Sequence, residues 1–197
     1  ASLREGVQYT IHEPVILALM IVALIPSLFM LPFTHGLMPV FAEEVLQAGP
    51  EGLGFLLAAS GVGALVGTLG LASAGNVSHK GWLLLTFAVG AGVGIVLFSL
   101  TTALVLALLA LVLVGACQQL YMSTNNVLLQ TRTSDEYRGR VMSLYMLDHG
   151  LIAFGGLLAG ALAELYGAPW AIFIGGATTV TLFILMGAWF KSIREVT

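Results

Sequence analysis

Six long apolar runs account for most of this 197-residue chain. We predict helical membrane spans at about residues 14–41, 53–73, 82–100, 103–129, 141–165 and 170–190. A helix needs about 20 apolar residues to cross the hydrocarbon core of a bilayer, and each run is close to or above that length. Strands of a membrane barrel would alternate in hydropathy with a period of two, which these runs do not. The pattern therefore predicts an all-α fold, an integral membrane six-helix bundle.

The basic residues give the bundle an orientation. All seven Lys and Arg residues fall before the first run, after the last, or in the second and fourth connections: Arg4, Lys80, Arg132, Arg138, Arg140, Lys191 and Arg194. Cationic residues stay on the side from which a chain is inserted. We therefore expect residues 1–13 to be a cytoplasmic linker or interfacial segment and residues 191–197 to be a cytoplasmic tail. The domain between them, residues 14–190, holds the six spans.

The composition excludes several classes of protein. Hydrophobic residues make up 58% and charged residues 9%, against roughly 45–50% and about 25% in soluble domains. Membrane lipid is therefore the expected surrounding. There is no basic patch with interleaved aromatics, so we expect no nucleic acid partner. Cys117 is the only cysteine. The histidines lack metal-ligand spacing, so no metal or other cofactor is predicted.

The spans form two groups of three with similar character. The first span of each group is unusual. Span one of the chain contains Pro26, Pro32 and Pro39, which should bend it. Span four, which begins the second group, is polar. The second of each group is rich in glycine. Gly63 and Gly67, and likewise Gly156 and Gly160, are four residues apart and should let helix backbones approach closely. Two triplets of like pattern predict two inverted three-helix repeats, a common plan of secondary transporters.

The fourth span has the richest set of polar residues. Those with helical spacing form one stripe, with Gln118 beside it: Gln119, Ser123, Asn126 and Gln130. Polar groups within a membrane usually face the bundle interior or a water-filled cavity. One interpretation is a cavity wall that hydrogen-bonds a solute. The alternative is that these amides tie neighbouring helices together.

Asp148, in the fifth span, is the acidic residue farthest from any loop. Desolvation favours the neutral form of a carboxyl group, so Asp148 is a candidate for taking up a coupling proton. The alternative is a structural hydrogen bond to a neighbouring helix. His149 and His35 are more typical of packing or interfacial residues than of ligands.

The segment TRTSDEYRGRVMSLY, residues 131–145, resembles the major facilitator superfamily, and in particular its enterobactin-exporter-like and macrolide-efflux-like branch. That branch has an acidic residue followed by Arg-Gly-Arg-Val, here Asp135 or Glu136 and then Arg138 to Val141. The opening LREGVQYTIHEPVI and the stretch AGPEGLGFLLAASGVGALVG also match. The resemblance covers almost the whole chain, but only the carboxyl-terminal half of such a protein.

The resemblance implies half of a major facilitator fold, in which the first and fourth spans line a cavity and the second and fifth face the other half. The third and sixth would face lipid. It also implies cytoplasmic gating by Asp135, Glu136, Arg138 and Arg140, although these arginines could instead serve only to orient the chain. The second gating motif of the superfamily is degenerate here, since the connection with Asn76 and Lys80 has no acid.

The predicted function is half of a secondary active transporter in the bacterial inner membrane. It would export a small organic solute by alternating access, driven by protons. Its solute and proton contacts are expected at Gln118, Gln119, Ser123, Asn126 and Asp148. The partner would be an amino-terminal six-helix half or a second copy of the chain. The alternatives are a scaffold or channel-like bundle and, least favoured, an intramembrane enzyme in which Ser123 and His149 meet.

Overall fold

The computed structural model describes residues 3–73 and 79–190, which are helical almost throughout and contain no β-strand. A short helix precedes six helices that are long and apolar enough to cross a bilayer. The helices are α1 (Leu3–His12), α2 (Pro14–Val45), α3 (Gly49–Ser73), α4 (Lys80–Ser99), α5 (Leu104–Arg132), α6 (Asp135–Tyr166) and α7 (Ala168–Trp189). The all-α, six-helix membrane prediction is confirmed. The inverted repeat stays a prediction.

Helix α2 is irregular where its prolines lie. Its backbone widens into π-helical turns at Pro26–Met30, Pro32–Gly36 and Phe41–Val45. A proline inside a helix removes a donor and crowds the carbonyl four residues earlier, and a wider turn relieves this. The helix also continues to Val45, beyond the predicted end near residue 41. Two acidic residues expected in a loop, Glu43 and Glu44, are therefore helical.

The expected ten-residue connection before the fifth span is mostly helix. Only Thr133 and Ser134 separate α5 from α6, so Arg138 and Arg140 lie on the first turns of α6 and not in a loop. Asp135 and Glu136 occupy the first turn of this helix, where negative charge favours the positive end of the helix dipole. Near its middle α6 tightens into a 3₁₀ turn at Leu147–Gly150.

Helices α3 and α5 pack with their backbones almost in contact. A Cβ atom at Gly63 would lie 2.1 Å from the carbonyl oxygen of Val112, and one at Gly115 would lie 2.0 Å from that of Ser60. A Cβ at Gly67 would also meet the α5 backbone, 2.7 Å from the carbonyl oxygen of Ala116. The close approach predicted for Gly63 and Gly67 is confirmed.

The glycines singled out on α6 make no such approach within this chain. A Cβ atom at Gly156 or Gly160 would meet nothing within 4 Å. The neighbouring Gly155 makes the close contact instead, since a Cβ there would lie 2.5 Å from the carbonyl oxygen of Leu28 on α2. Adjacent residues on a helix point about 100° apart, so a shift of one position moves the contact to another face.

The apolar core lies where α2, α4, α5 and α7 meet. Its largest side chains include Phe33, Phe41, Phe98 and Phe183, each at most 1% exposed. The Phe41 and Phe98 rings lie 4.5 Å apart. Helix α4 packs between α5 and α7 and leaves Trp82 and Leu97 exposed on its outer side. The predicted tail at 191–197 and the degenerate gating motif around Asn76 lie outside the described residues.

Candidate functional site

Asp148 lies in the 3₁₀ turn of α6, and its side chain is 7% exposed. The Ser27 hydroxyl, on the first π-helical turn of α2, donates a hydrogen bond of 3.3 Å to Asp148 Oδ2. The Nδ1 atom of His149 lies 2.6 Å from Oδ1. This contact is that of an ion pair between adjacent residues, and Oδ1 has no hydrogen-bond donor among the described residues. The carboxyl group is therefore buried, tied to a second helix, and incompletely satisfied.

Two tyrosines complete the surroundings of Asp148. Tyr121 of α5 and Tyr145 of α6 line the same small cavity as Asp148, Ser27 and His149. The volume of this Asp148 cavity is about 20 Å³, which is room for one water molecule. The Tyr121 hydroxyl donates a hydrogen bond of 3.1 Å to the carbonyl oxygen of Val22. Pro26, four residues later, has no N–H to offer this carbonyl.

Asn125 is the least satisfied polar residue of the site. Its side chain is fully buried on α5, and neither its amide nitrogen nor its oxygen has a hydrogen-bond partner among the described residues. The Tyr145 side chain is close by. An unpaired buried amide is costly, on the order of 1–3 kcal/mol, so its presence in a native structure calls for a reason. The neighbouring Tyr145 side chain interacts with Asn125 and offsets part of this cost.

The polar stripe of α5 is divided by the structure. Gln118 and Gln119 line a pocket of about 270 Å³ together with His35 of α2 and Ser60 of α3. Ser123 and Asn126 line neither cavity. Ser123 Oγ accepts a bond of 3.4 Å from Gln119, and Asn126 Oδ1 accepts one from Gln130. These bonds run along one helix, so the two residues are satisfied locally.

Three residues of the site were not singled out as contacts from the sequence: Ser27, Tyr121 and Tyr145. Ser27 follows Pro26, and the only available signal was a hydroxyl beside a helix-disturbing proline. The tyrosines had no signal, because aromatic residues in a membrane helix are unremarkable until their neighbours are known. The Ser123 and His149 pair required by the enzyme alternative does not form, since these side chains contact Gln119 and Asp148 instead.

A second polar cluster lies at the start of α6. The Arg138 guanidinium pairs with Asp135 at 2.7 Å and donates from Nε to the carbonyl oxygen of Gln130 at 3.0 Å. It also reaches the carbonyl oxygen of Thr133 at 3.5 Å. The last carbonyls of a helix have no partner within it and carry partial negative charge. Arg138 therefore closes the end of α5 and fixes the α5–α6 corner.

Arg140 links α6 to the amino-terminal helix. Its Nη1 atom lies 3.1 Å from Glu5 Oε2, and its guanidinium carbon lies 5.0 Å from the centre of the Tyr137 ring. The backbone N–H of Ser134 donates to the Tyr9 hydroxyl at 3.3 Å. Glu136 is exposed and takes no part in this cluster within the described residues. Of the four predicted gating residues, Asp135 and Arg138 form one pair, and Arg140 pairs elsewhere.

The described residues bring together no group of three His, Cys, Asp or Glu side chains that could hold a metal ion. What they do form is a buried polar cluster shared by α2, α5 and α6, within helices that cross a membrane. That arrangement defines a multi-pass helical membrane protein with a polar interior.

Comparison with known proteins gives the family. Residues 1–195 match the model of a family described as transmembrane secretion effector, in the major facilitator superfamily. The chain therefore belongs to this family of membrane transporters, as the sequence motif predicted.

Two curated relatives also match this chain. The chain is 26% identical over 197 residues to the multidrug efflux pump Tap of Mycolicibacterium fortuitum, covering 100% of this chain and 47% of that protein. It is 28% identical over 151 residues to a staphyloferrin A transporter of Staphylococcus aureus, covering 74% of this chain and 36% of that protein. The chain thus spans about half the length of the relatives it matches, or less. No solved structure matches it significantly.

Proposed function

We propose that this chain is one half of a secondary active transporter that exports a small organic solute across the bacterial inner membrane. The two halves would alternate in exposing a central site to each side, with both ends of this chain in the cytoplasm. Membership of a transporter family and the names of the two relatives support this proposal. The other half would be an amino-terminal set of six helices or a second copy of this chain.

Asp148 is the proposed site of proton coupling. The single observation that carries this assignment is its hydrogen bond to Ser27, because it links a buried carboxyl group on α6 to the π-helical turn of α2. A carboxylate gains more from such a donor than a neutral carboxyl group does. Loss or gain of the proton therefore changes how tightly α6 holds α2. These are two helices whose relative movement would open or close a cavity.

Gln118 and Gln119 are proposed to contact the solute, with His35 and Ser60 on the facing helices. Ser123 and Asn126 are proposed only to support the side of the pocket that Gln118 and Gln119 form. They do so through side-chain hydrogen bonds along α5. Arg138 and Arg140 would hold the cytoplasmic ends of α5, α6 and α1 together in the present arrangement. Release of the Arg140–Glu5 pair would let these ends separate.

The assignment of Asp148 is tested with the full-length transporter in proteoliposomes under an imposed pH gradient. We expect Asp148→Asn to abolish the stimulation of transport by the gradient while leaving abundance and monodispersity unchanged. Glu164→Gln, at the exposed far end of the same helix, is the matched control and should behave as the wild type. An unchanged response to pH in Asp148→Asn would remove Asp148 from the mechanism.

Gln119→Ala tests, in the same preparation, whether Gln119 contacts the solute. It should raise the solute concentration needed for half-maximal transport, with little change in abundance. A loss of abundance alone would instead favour the interpretation that the stripe only ties helices together.

A further inference from the structure

An apolar groove lies between α4 and α7, on the side of the bundle away from both polar cavities. Its volume is about 390 Å³, and it is open to the surroundings of the bundle. Every residue that lines it belongs to α4 or α7, whereas α2, α3, α5 and α6 supply the lining of the Asp148 cavity and the Gln118 pocket. The α4–α7 groove is therefore separate from the proposed site of transport.

Two small residues on α7 leave the space that forms this groove. Gly187 and Ala188 lie on its α7 side, where neither has a side chain large enough to fill it. Phe183, which is 1% exposed, lies at the bottom. Trp82 and Ile184 form the rims and are 52% and 56% exposed. These large apolar rims face outward from helices that cross a membrane, so lipid is the expected surrounding.

The α4–α7 groove offers little to a polar ligand. Among the described residues, Thr86 brings the one hydroxyl that lines it, and this hydroxyl donates a hydrogen bond of 2.9 Å to the carbonyl oxygen of Trp82. No charged side chain of the described residues lines it. The hydrocarbon core of a bilayer has no water to fill such a groove, and an empty groove forfeits the dispersion contacts of its walls. A flexible acyl chain supplies those contacts.

The position of Trp82 shows where the groove lies along the membrane normal. Trp82 is the third residue of α4, and tryptophan is enriched at the interfaces between membrane and water. From Trp82 the groove follows α4 to Val89, which is about 10 Å toward the middle of the membrane at the rise of an α-helix. A lipid with its chain in the groove would therefore have its headgroup beside the first turn of α4.

A positive charge lies at that first turn. Lys80 is the first residue of α4, is partly exposed, and forms no ion pair within the described part of the chain. The residues before it, 74–79, include no acid, and the sequence after α7, at 191–197, has two basic residues and one acidic residue. Basic residues between helices at the membrane surface favour anionic lipid headgroups. Charge complementarity therefore favours an anionic lipid over a zwitterionic one.

We propose that the α4–α7 groove binds an acyl chain of an anionic phospholipid and that Lys80 contacts the phosphate of its headgroup. The chain packs over Phe183 between the two helices, and the negative headgroup lies at the first turn of α4. The groove shares no lining residue with either polar cavity. The lipid site is therefore independent of the transported solute and of the coupling ion.

The headgroup contact is tested with the full-length transporter in mild detergent. Phosphatidylglycerol or phosphatidylcholine with identical acyl chains is added in steps, and native mass spectrometry counts the lipids that stay bound. The wild type should retain phosphatidylglycerol at the lower concentration. Lys80→Gln should weaken retention of phosphatidylglycerol by roughly fivefold and leave phosphatidylcholine unchanged. Lys80→Arg keeps the charge and should behave as the wild type. Equal retention of phosphatidylglycerol by the wild type and Lys80→Gln would overturn the Lys80 contact.

Ala188→Phe tests the seat of the acyl chain. Ala188 is exposed and lines the groove, so a phenylalanine ring there would fill the groove without entering the core. We expect this variant to retain one lipid fewer than the wild type at saturation, for both lipids. Val93→Phe, on the same exposed face of α4 as Trp82 but outside the groove, is the matched control and should retain the full number.

Ile184→Trp is a second way to fill the groove, used if Ala188→Phe lowers the thermal midpoint more than Val93→Phe does. A full number of retained lipids in both filled variants would overturn the lipid site. Light scattering on the same samples checks for another occupant. If Ala188→Phe converts a dimer into a monomer, a second copy of the protein occupies the groove and the lipid assignment is wrong.

Discussion

Tyr9 stacks on Tyr137 with ring centroids 4.4 Å apart and ring planes within 2° of parallel. The pair joins the amino-terminal helix α1 to the first turn of α6, next to the Glu5–Arg140 pair. Since α1 leads directly into α2, the contact ties the amino-terminal ends of α2 and α6 together. These same two helices meet again at Ser27 and Asp148, deeper in the bundle.

Removing one ring should loosen this contact between α1 and α6. An aromatic pair contributes about 0.5–1.5 kcal/mol beyond its buried area, so Tyr9→Ala should lower the thermal midpoint of the full-length protein measurably. The Glu5 side chain is 52% exposed, and exposed ion pairs contribute about 0–1 kcal/mol. Glu5→Gln should therefore have the smaller effect. Tyr9→Phe keeps the stack and is the control. Equal midpoints for Tyr9→Ala and Tyr9→Phe would show that the stack does not stabilise the protein.

Ser27→Ala should weaken proton coupling without removing it. The variant loses one donor to the Asp148 carboxylate, a contribution of about 1 kcal/mol, or roughly fivefold in an equilibrium. The measurement is the ratio of transport with and without an imposed pH gradient in proteoliposomes. Ser27→Thr retains the hydroxyl and should restore the ratio. If the threonine variant is as impaired as the alanine variant, the effect comes from packing and not from the hydrogen bond.

Gly115→Ala should destabilise the contact between α3 and α5. Its Cβ would lie 2.0 Å from the carbonyl oxygen of Ser60, and the two backbones must separate to admit it. Overpacking of this kind costs about 1–3 kcal/mol. Gly70→Ala, on α3, adds a Cβ that meets nothing within 4 Å and is the matched control. Thermal unfolding in detergent should distinguish them, and equal stability would contradict the close approach.

The orientation can be measured with a membrane-impermeant maleimide. In a Cys117→Ser background, Gln47→Cys lies between α2 and α3 and should be labelled from outside intact cells. Ser134→Cys lies between α5 and α6, beside Arg132 and Arg138, and should be labelled only after lysis. This follows from the clustering of Lys and Arg on one side. Labelling of position 134 in intact cells would reverse the proposed topology.

The sequence by itself determined the class of this protein, its six helices and its family. Those features depend on apolar length and on the local motif around Arg138, and both are properties of consecutive residues. The local sequence pattern was less reliable for the ends of the helices. The charged segment at 131–140 looked like a loop, but most of it is helical. Its acidic residues occupy the first turn of α6, and Arg138 of α6 binds a carbonyl oxygen at the end of α5.

Only the tertiary structure decided which polar residues meet. The stripe of α5 contains four residues with helical spacing, yet Gln119 lines a pocket while Ser123 and Asn126 only bond along their own helix. Similarly, Gly155 makes the contact that Gly156 and Gly160 were expected to make. A helical repeat shows which residues share a face, but the neighbour on that face is set by how the helices rotate and cross. The meeting of Ser27, Tyr121 and Asp148 from three helices is a consequence of that packing.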